Sequence, residues 1–443
     1  MVYKQFLWVF VIILSVEPVI AQNVTLSMPK VSSTERYQSL ETLAKALYFV
    51  ETMYVDPAQV KLPTLVNNAL DGIMKNIDPH SVHLSPNSFK NLTSGTKGQI
   101  GGVGIIVRVE GTKLIIVTTL EGKPANKKGV KAGDEITAVN DVPVSKIGAD
   151  ILGMMSGEPG TKVKLTIKRK DQSKPLDFEL VREIILVGSL RSEKLAEGLY
   201  YTSITNFQEN TSQDLERFLV STKGQLKGLI LDLRDNPGGL LEEAVKVVDL
   251  FIESGLIVST VGRNRDKIER EFAHKPNSYV GFPIILLVNE GSASASEIVA
   301  GALQDHKRAL IMGSPSFGKG SVQTLIMLPD GSGLKLTIAT YYTPNDRSIQ
   351  AKGIEPDILL SKQTVVPNPE GRKEANLKGH LLSGDLSDFA KKSNFLNVSE
   401  KWPPSLKEDY QVVTAFTYLT GWSFFNGKSA NAGKEDRTQP NTR

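Results

Sequence analysis

The sequence predicts a multidomain α/β protein, and three changes of pattern along the chain support this. Helical periodicity occurs near the N-terminus, short β-type runs punctuated by glycine and proline follow, and apolar strands then alternate with amphipathic helical segments. The prediction is therefore a helical N-terminal region, a mainly β domain, an α/β core whose sheet is flanked by helices, and a partly helical C-terminal region.

The first 21 residues have the pattern of a secretory signal peptide. One lysine precedes an apolar run from Phe6 to Val16, and Val19-Ile20-Ala21 supplies a cleavage site. Because the apolar run is short for a membrane span, we expect cleavage after Ala21 and export to the periplasm. An uncleaved segment that anchors the protein to the inner membrane is the alternative.

Composition excludes several kinds of site. The chain has no cysteine, so it cannot form a disulfide, a thiolate zinc site or a cysteine nucleophile. Its 52 basic and 48 acidic residues nearly balance, and the longest basic cluster is only Lys168-Arg169-Lys170, which is too little for a nucleic-acid surface. None of the five histidines has the spacing of a metal-binding motif. We therefore expect no nucleic-acid partner, no metal and no cofactor.

The first two predicted regions differ in periodicity. Residues 36–92 contain two helical patterns, separated by Asp56-Pro57: LETLAKALYFVETMYV and LPTLVNNALDGIMKNI. Residues 96–187 contain short β-type runs: GIIVRVE, KLIIVTTL, DEITAVN and KVKLTIKR. We expect a helical region followed by a compact, mainly β domain.

The third region, residues 188–362, has the alternating pattern of an α/β core. The apolar strands are LKGLILDLRD and FPIILLVNE, and the helices that alternate with them are LLEEAVKVVDLF and ASEIVAGALQDH. Residues 363–443 are polar at first, and the later stretch DYQVVTAFTYLTGWSFF then predicts a helix that docks on another element. The end of the chain has the composition of a disordered segment.

The stretch GSASASE, residues 291–297, holds three serines on alternate positions. Ser294 stands three residues before Glu297 and just ahead of a helical pattern, which fits the capping box of a helix N-terminus. Taken alone, the stretch fits both a cap and a catalytic nucleophile. A second segment, GLILDLRDNPGGLL, has two glycines at the start of a helix, and these suit either an ordinary turn or backbone N–H groups that bind an anionic oxygen.

A third segment, GSPSFGKGSVQ, resembles a phosphate-binding loop in part. Gly320 stands where that loop needs a magnesium-binding Ser or Thr, and the acidic strand precedes the loop instead of following it. An exported protein also lacks a nucleotide supply. A nucleotide hydrolase is therefore the weakest of the alternatives.

Lys319 of this segment is a candidate base for Ser294. A serine nucleophile needs a base, and His306 falls at the far end of the helix that begins near Ser294. A lysine can act as the base if burial lowers its pKa. Glycines on both sides of Lys319 would let the backbone pack closely around it, and Gln323 could orient the lysine without adding a charge.

These segments, together with YYTPNDRSIQAKGIEPDI, resemble the carboxyl-terminal processing proteases, also called tail-specific proteases, a family of Ser-Lys peptidases that carry a PDZ domain. The resemblance extends from about Tyr37 to Leu360. It implies that Ser294 is the nucleophile, Lys319 the base and Gln323 the residue that orients the lysine. It also implies an oxyanion hole built from the backbone of three residues: Gly238, Gly239 and Ala295. Ser292 and Ser296 are then local capping and packing residues.

The chain departs from the family pattern at two positions near these residues. Ser314 stands where an acidic residue is common, and Thr340 where a basic one is usual. Neither position holds one of the three catalytic roles, but both can alter how the substrate is gripped.

The β domain resembles a PDZ domain, through TKGQIGGVGIIVRV and GVKAGDEITAVNDVPV. The resemblance implies a loop whose backbone N–H groups hold a chain-terminal carboxylate, followed by a strand, Ile105 to Arg108, that pairs with the bound peptide. The peptide-binding residues are then Gly101, Gly102, Val103, Gly104 and Ile105.

The sequence thus predicts an exported serine endopeptidase that recognises protein C-termini through its PDZ domain and cleaves near them. Its partners would be protein or peptide substrates with a free C-terminus. A homodimer and an activator or adaptor protein are further expectations, and the sequence does not decide whether PDZ binding gates the activity. A catalytically silent PDZ scaffold that binds peptides is the alternative of a different class.

Overall fold

The structure is a computed structural model, and it describes residues 33–110, 113–147, 154–222, 224–265, 268–274, 278–361 and 402–435. The predicted signal peptide, residues 1–21, lies outside these residues. The chain divides into two compact units after Ile73. Among the described residues, no helix is both long enough and apolar enough to cross a membrane.

The two helices predicted near the N-terminus are confirmed. They are α1 (Ser33–Met53) and α2 (Leu62–Lys75). The break falls at the predicted Asp56-Pro57, where the Asp56 carboxylate accepts a hydrogen bond of 3.0 Å from the backbone N–H of Ala58. Such a bond from an aspartate to the backbone two residues later stabilises a turn.

The second unit continues into the predicted β domain. A short connection contains β1 (Val82–Leu84), α3 (Pro86–Thr96) and β2 (Gln99–Gly102). The domain itself consists of β3 (Ile105–Glu110), β4 (Lys113–Thr119), α4 (Pro124–Lys127), β5 (Glu135–Val139), β6 (Val142–Pro143), α5 (Val144–Ile147), β7 (Lys162–Lys168) and β8 (Leu176–Val181). The strands form one antiparallel sheet in the order β3-β4-β5-β7-β8, and β6 pairs with β5.

Alternation of side chains along β7 builds the core of this domain. Val163, Leu165 and Ile167 are buried, whereas the residues between them are partly exposed. This is the period of two that a sheet with one buried face requires. The strand β9 (Glu183–Leu186) then pairs with β2 in a separate two-stranded sheet, so the chain enters and leaves the domain side by side.

The predicted α/β core is confirmed. Its first half consists of β10 (Leu190–Ala196), β11 (Leu199–Ile204), α6 (Thr211–Ser221), β12 (Gly228–Asp232), α7 (Leu241–Asp249), β13 (Gly255–Gly262) and β14 (Ile268–Ala273). Its second half consists of β15 (Ile284–Val288), α8 (Ala295–Asp305), β16 (Ala309–Gly313), β17 (Ser321–Met327), β18 (Gly333–Tyr342) and β19 (Ile358–Leu359).

Two sheets organise the core. The central sheet has the order β10-β11-β12-β15-β16-β19 and is parallel from β11 onwards. Every residue of β12 and β15 is buried, as expected for parallel strands that are covered on both faces. The second sheet is antiparallel, in the order β1-β18-β13-β14, with β17 paired to β18.

The C-terminal helix docks on the central sheet, as predicted. It follows the short α9 (Pro404–Lys407), and as α10 (Tyr410–Glu435) it extends beyond the aromatic stretch from which it was predicted. Val412, Phe416 and Leu419 pack in one buried cluster with Ile230 and Leu287 of the central strands. The Arg234 guanidinium also bridges Asp232, at 2.6 Å, and Asp409, at 2.7 Å.

Candidate active site

Ser294 lies at a sharp turn between the buried strand β15 and the helix α8. Its backbone has φ 56° and ψ −114°, a conformation that residues other than glycine rarely adopt and that costs on the order of 1–3 kcal/mol. The Asn289 side chain holds the preceding loop, because its Oδ1 accepts hydrogen bonds from the N–H groups of Asp235, at 2.8 Å, and Gly291, at 3.0 Å. A strained strand-to-helix turn of this kind exposes a serine hydroxyl.

The carboxylate of Glu297 links the turn of Ser294 to the loop of Lys319. The Glu297 side chain has no exposed surface, and it accepts four hydrogen bonds. Oε2 accepts from the backbone N–H groups of Ser294, at 2.8 Å, and Lys319, at 2.9 Å. Oε1 accepts from the Ser316 hydroxyl, at 2.6 Å, and the Gly318 N–H, at 2.6 Å. One buried anion therefore fixes both candidate catalytic segments.

Half of the capping box that the sequence predicts is present, because the Glu297 carboxylate accepts from the Ser294 N–H. The Glu297 N–H donates to the Ser294 carbonyl oxygen at 2.9 Å, and the Ser294 side chain makes no capping bond. The sequence does not indicate that the same carboxylate also holds the second segment. The only available signal was the capping box itself, because the other three hydrogen bonds to the Glu297 carboxylate come from residues about twenty positions later in the chain.

Lys319 lies half-buried in a loop whose neighbouring glycines are sterically required. A Cβ atom on Gly320 would lie 2.6 Å from the backbone nitrogen of Gln350, and one on Gly318 would lie 3.0 Å from that of Gly353. The close packing expected around Lys319 is thus present. The chain continues into the strand β17 instead of a helix, so the segment lacks the helix N-terminus that a phosphate-binding loop needs.

The pKa of the Lys319 amine is lowered. Burial is the largest cause, the positive charge of Lys335 adds to it, and the carboxylates of Glu297 and Asp78 oppose it. A lowered pKa increases the neutral fraction of the amine, which is the form that can accept a proton.

Tyr341 is a neighbour of Ser294 that the sequence analysis missed. Its side chain is buried, and its hydroxyl donates a hydrogen bond to the Lys319 carbonyl oxygen. Burial raises the pKa of the Tyr341 phenol, and the nearby Ser294 side chain partly offsets this. A carbonyl oxygen can only accept, so the single phenolic proton goes to Lys319. The motif YYTP marks this position, but tyrosine in an apolar strand is an ordinary core residue.

Lys319 Nζ makes no hydrogen bond to Ser294 or Gln323 within the described part of the chain. Hydrogen bonds between catalytic groups are often long in substrate-free enzymes and tighten when substrate binds. In this structure, the Lys319 amine is therefore not yet engaged with Ser294.

Gln323 lies on β17 directly opposite Thr337 of β18. Its Nε2 donates to Ser321 Oγ, at 2.9 Å, and to Thr337 Oγ1, at 3.2 Å. Both amide protons are therefore used, and the amide oxygen is left to accept a hydrogen bond.

The residues predicted for the oxyanion hole lie beside Ser294. A Cβ on Gly238 would lie 2.8 Å from the Ser294 Cβ and 3.0 Å from the Ala295 nitrogen. Ala295 is the first residue of α8, so its N–H has no intrahelical acceptor. The Gly239 N–H donates to no backbone carbonyl of the described residues. The Gly238 N–H instead donates to Asn236 Oδ1 at 2.9 Å.

These residues line one cleft of about 600 Å³. Its polar lining includes the whole predicted set, Ser294, Lys319, Gln323, Gly238, Gly239 and Ala295. Its apolar lining includes Leu92 of α3, Ile298 of α8 and Leu325 of β17. The sequence analysis did not identify α3 as a wall of the site.

The predicted PDZ residues divide between a strand and a loop. Gly101 and Gly102 belong to β2, which pairs with β9, and Ile105 begins the edge strand β3. Between them, the N–H groups of Val103 and Gly104 donate to no backbone carbonyl in the described ranges. An open edge strand behind free N–H groups fits the binding of a peptide terminus.

The neighbouring polar residues have the structural roles expected of them. The Ser292 hydroxyl donates to the Leu233 carbonyl at 2.7 Å, and the Ser296 hydroxyl donates to the Asn236 carbonyl at 2.9 Å. Both side chains are fully buried. His306 caps the far end of α8 and bonds to the Leu256 carbonyl.

Comparison with known proteins agrees with this geometry. Peptidase family S41 matches residues 199–360, and the PDZ domain family matches residues 101–180. A carboxy-terminal-processing protease of Bartonella bacilliformis is 38% identical over 417 residues, which are 91% of this chain and 92% of that protein. A probable CtpA-like serine protease of Staphylococcus epidermidis is 36% identical over 71% of this chain and 66% of its own.

Among solved structures, the photosystem II D1 C-terminal processing protease is 30% identical, with a TM-score of 0.44 over 74% of this chain and 94% of its own. The identity to the Bartonella protein extends over nearly the whole of both chains. The chain therefore belongs to the carboxy-terminal-processing proteases of peptidase family S41, and it is a serine-type peptidase that carries a PDZ domain.

Proposed function

We propose that this peptidase recognises the free C-terminus of a protein or peptide through its PDZ domain and cleaves near that end through an acyl-enzyme at Ser294. The observation that carries the proposal is the Glu297 carboxylate, which binds the backbone of both Ser294 and Lys319. A contact that holds a serine turn and a half-buried lysine together suits a nucleophile and its base.

The first step in this mechanism is proton transfer from Ser294 to neutral Lys319. The Ser294 hydroxyl gives its proton to the amine, and its oxygen attacks the carbonyl carbon of the scissile peptide bond. The negative charge then develops on the former carbonyl oxygen, where the N–H groups of Gly239 and Ala295 donate to it. Gly238 joins them if its N–H leaves Asn236.

Collapse of the tetrahedral intermediate breaks the peptide bond. The leaving amine takes the proton from the Lys319 ammonium, and the acyl group stays on the Ser294 oxygen. Water then gives a proton to Lys319 and attacks the ester, which releases the carboxylic acid product and restores Ser294. Gln323 would hold the lysine through its amide oxygen in both steps.

The PDZ loop would supply the recognition of the C-terminus. The N–H groups of Val103 and Gly104 suit a carboxylate, and β3 offers an unpaired edge. Ile100, the residue before Gly101, lines the catalytic cleft. A peptide that moves the β2–β3 loop can therefore act on the cleft through β2, and this supports gating as well as tethering.

The remaining predictions become part of the proposal. Its domains are a signal peptide (1–21), a helical region (36–92), a PDZ domain (96–187), a protease core (188–362) and a C-terminal region (363–443). Export to the periplasm rests on the signal sequence, and the homodimer and the activator or adaptor protein rest on the resemblance stated above. A silent scaffold would not need a lysine with a lowered pKa beside a serine at a strained turn.

The test uses three variants of the full chain: Ser294→Ala, Lys319→Ala and Lys319→Arg. We expect each to lower peptide cleavage by about 10³-fold or more, because a general base contributes about 10²- to 10⁴-fold and arginine cannot deprotonate. The exposed Lys307→Arg is the matched control and should keep its activity. Mass spectrometry of exported proteins should then show trimmed C-termini only with the active enzyme. Full activity of Lys319→Arg would refute the assigned base, and failure of a fluorophosphonate to label Ser294 would favour the scaffold.

A further inference from the structure

A chain of hydrogen bonds connects Gln323 to a carboxylate outside the catalytic set. Gln323 Nε2 donates to Thr337 Oγ1, at 3.2 Å, and Thr337 Oγ1 lies 3.2 Å from Asp78 Oδ1. Asp78 lies in the turn before β1, the strand that pairs with β18. The turn and the hairpin of β17 and β18 therefore meet at Thr337.

Asp78 is held as an acceptor by the turn around it. Its Oδ1 accepts from the N–H groups of His80, at 2.7 Å, and Ser81, at 2.9 Å, and its Oδ2 accepts from the Ser81 hydroxyl, at 2.6 Å. Burial raises the Asp78 pKa, but these bonds and the one from Thr337 outweigh it, so the pKa is lowered. Asp78 is therefore ionised at neutral pH.

The ionised carboxylate determines how Thr337 is used. A carboxylate can only accept, so the single proton of the Thr337 hydroxyl is donated to Asp78. The Thr337 oxygen must then accept from Gln323, which places the amide nitrogen on this side. Ser321 takes the second amide proton. The amide oxygen of Gln323 is left on the opposite side of the planar group, available to the Lys319 amine.

We infer that Asp78 and Thr337 are positioning residues of the peptidase, which orient the Gln323 amide so that its oxygen and not its nitrogen meets Lys319. This inference rests on the proposed roles of Ser294, Lys319 and Gln323. With the amide reversed, an N–H group would face the lysine. It could not accept from the ammonium that forms when Ser294 loses its proton.

The inference predicts a change in the pH profile as well as in rate. The amide oxygen stabilises the charged lysine, so loss of its orientation should lower the Lys319 pKa and move the acidic limb of kcat/KM to lower pH. In the part of the chain that the structure describes, the charged and titratable groups near Lys319 are Asp78, His80, Glu297, Lys335 and Tyr341. Thr337 carries no charge, so its replacement alters none of these charges directly.

The decisive variant is Thr337→Val, which keeps the shape of the side chain and removes the hydroxyl. We expect kcat to fall about tenfold or more, the value of a hydrogen bond to a charged group, with KM within about twofold and the acidic limb shifted down by about one pH unit. Thr337→Ser should restore kcat and the position of the acidic limb. Thr324→Val is the matched control, because Thr324 follows Gln323 on β17 and its side chain faces the other side of the sheet.

A double-mutant cycle shows whether Thr337 acts through Gln323. In a Gln323→Ala background, Thr337→Val should have no further effect on kcat or on the pH limb. Equal losses in both backgrounds would overturn the inference, as would wild-type values for Thr337→Val alone or a loss that Thr337→Ser does not reverse. If Thr337→Val does not fold, Thr337→Ala replaces it.

The same assay separates this inference from the proposed function. Activity of Ser294→Ala or Lys319→Ala would refute the mechanism itself, whatever Thr337 does. Inactivity of both, together with a fully active Thr337→Val, would refute only the positioning role.

Discussion

The Glu297 carboxylate accepts a hydrogen bond of 2.8 Å from the backbone N–H of Ser294, and Glu297 has no exposed surface. The bond places a buried negative charge against the backbone of the nucleophile. The same side chain binds the Lys319 loop, so its geometry sets how far apart the two catalytic segments lie.

Glu297→Gln should therefore impair both catalysis and stability. An amide has one acceptor oxygen, and its NH₂ group would face backbone N–H groups on one side of the site. We expect an activity loss of about 10²-fold and a decrease of about 1–3 kcal/mol in the free energy of unfolding, the penalty for unsatisfied buried groups. Peptide cleavage and urea unfolding measure the two effects.

The matched control is Glu355→Gln, the same change at an exposed glutamate of the same core. It should leave both values near those of the wild type. A Glu297→Gln enzyme with normal activity would show that the distance between the segments is set by other contacts.

The pH dependence follows from the lowered pKa of Lys319. Only the neutral amine can take the Ser294 proton, so kcat/KM should be low at acid pH and rise as pH passes the lysine pKa. Lys335 contributes to the lowering, after burial. Lys335→Gln removes a positive charge, stabilises the protonated form of Lys319 and should move the rise to higher pH.

Two carboxylates act on the Lys319 pKa in the direction opposite to Lys335. Glu297 and Asp78 raise the Lys319 pKa, and the pKa of His80 is itself lowered, first by burial and then by the charge of Lys319. The experiment is a pH profile of kcat/KM for wild type and Lys335→Gln, with chemistry shown to limit the rate. An unchanged limb, or a shift to lower pH, would contradict the role of Lys335.

Gly238 tests the packing of the oxyanion region against Ser294. Its φ is 103°, and an added Cβ would lie 2.7 Å from the Ala293 carbonyl and 2.8 Å from the Ser294 Cβ. Gly238→Ala should therefore push the nucleophile out of place and lower kcat by about 10²-fold or more, the scale of losing an oxyanion donor.

Gly281→Ala is the control that distinguishes the effect of backbone strain from the steric clash of the added Cβ with Ser294. Gly281 has φ 93°, but a Cβ there would meet nothing within 4 Å. Both variants should lose about 1–2 kcal/mol of stability through the positive φ, and only Gly238→Ala should lose activity. Equal activities of the two variants would place the catalytic backbone elsewhere.

How well the sequence predicted this site depends on how far apart along the chain the contacting residues are. Ser294, Lys319 and Gln323 could be found because short motifs carry them, and the strand and helix patterns around them are strong. The partners that hold them come from elsewhere in the chain: Tyr341 from β18, and Asp78 from a turn more than 200 residues before Lys319. Their residue types occur routinely in strands and turns, so no local pattern indicates what they contact.

In the helical regions, too, local patterns predict the elements but not their contacts with distant residues. The periodicity of residues 40–77 predicts α1 and α2, with the break at Asp56-Pro57. The short helix α3 lacks a strong apolar pattern, and its N-terminus is capped by Ser85, followed by a proline. Its place as a wall of the cleft depends on Phe89, whose ring packs against Gly333. That contact joins residues far apart in the chain.

The last prediction concerns how the PDZ domain contributes to turnover. A peptide substrate should lose about 10- to 10²-fold in cleavage at low concentration when its C-terminus is amidated, because charge-assisted hydrogen bonds to the loop are worth about 1.5–3 kcal/mol. Gly104→Ala should produce the same loss for the free acid, since φ is 74° and an added Cβ would lie 2.5 Å from the Lys123 Cβ. Gly133→Ala, with φ 84° and open space around it, is the control in the same domain.

Cleavage of the amidated peptide at saturating concentration then distinguishes two mechanisms. Full turnover would mean that the domain only tethers the substrate. Low turnover would mean that binding of the carboxylate also shifts the enzyme into its working geometry. Equal cleavage of the free acid and the amide at low concentration would show that the domain does not read the C-terminus of that peptide.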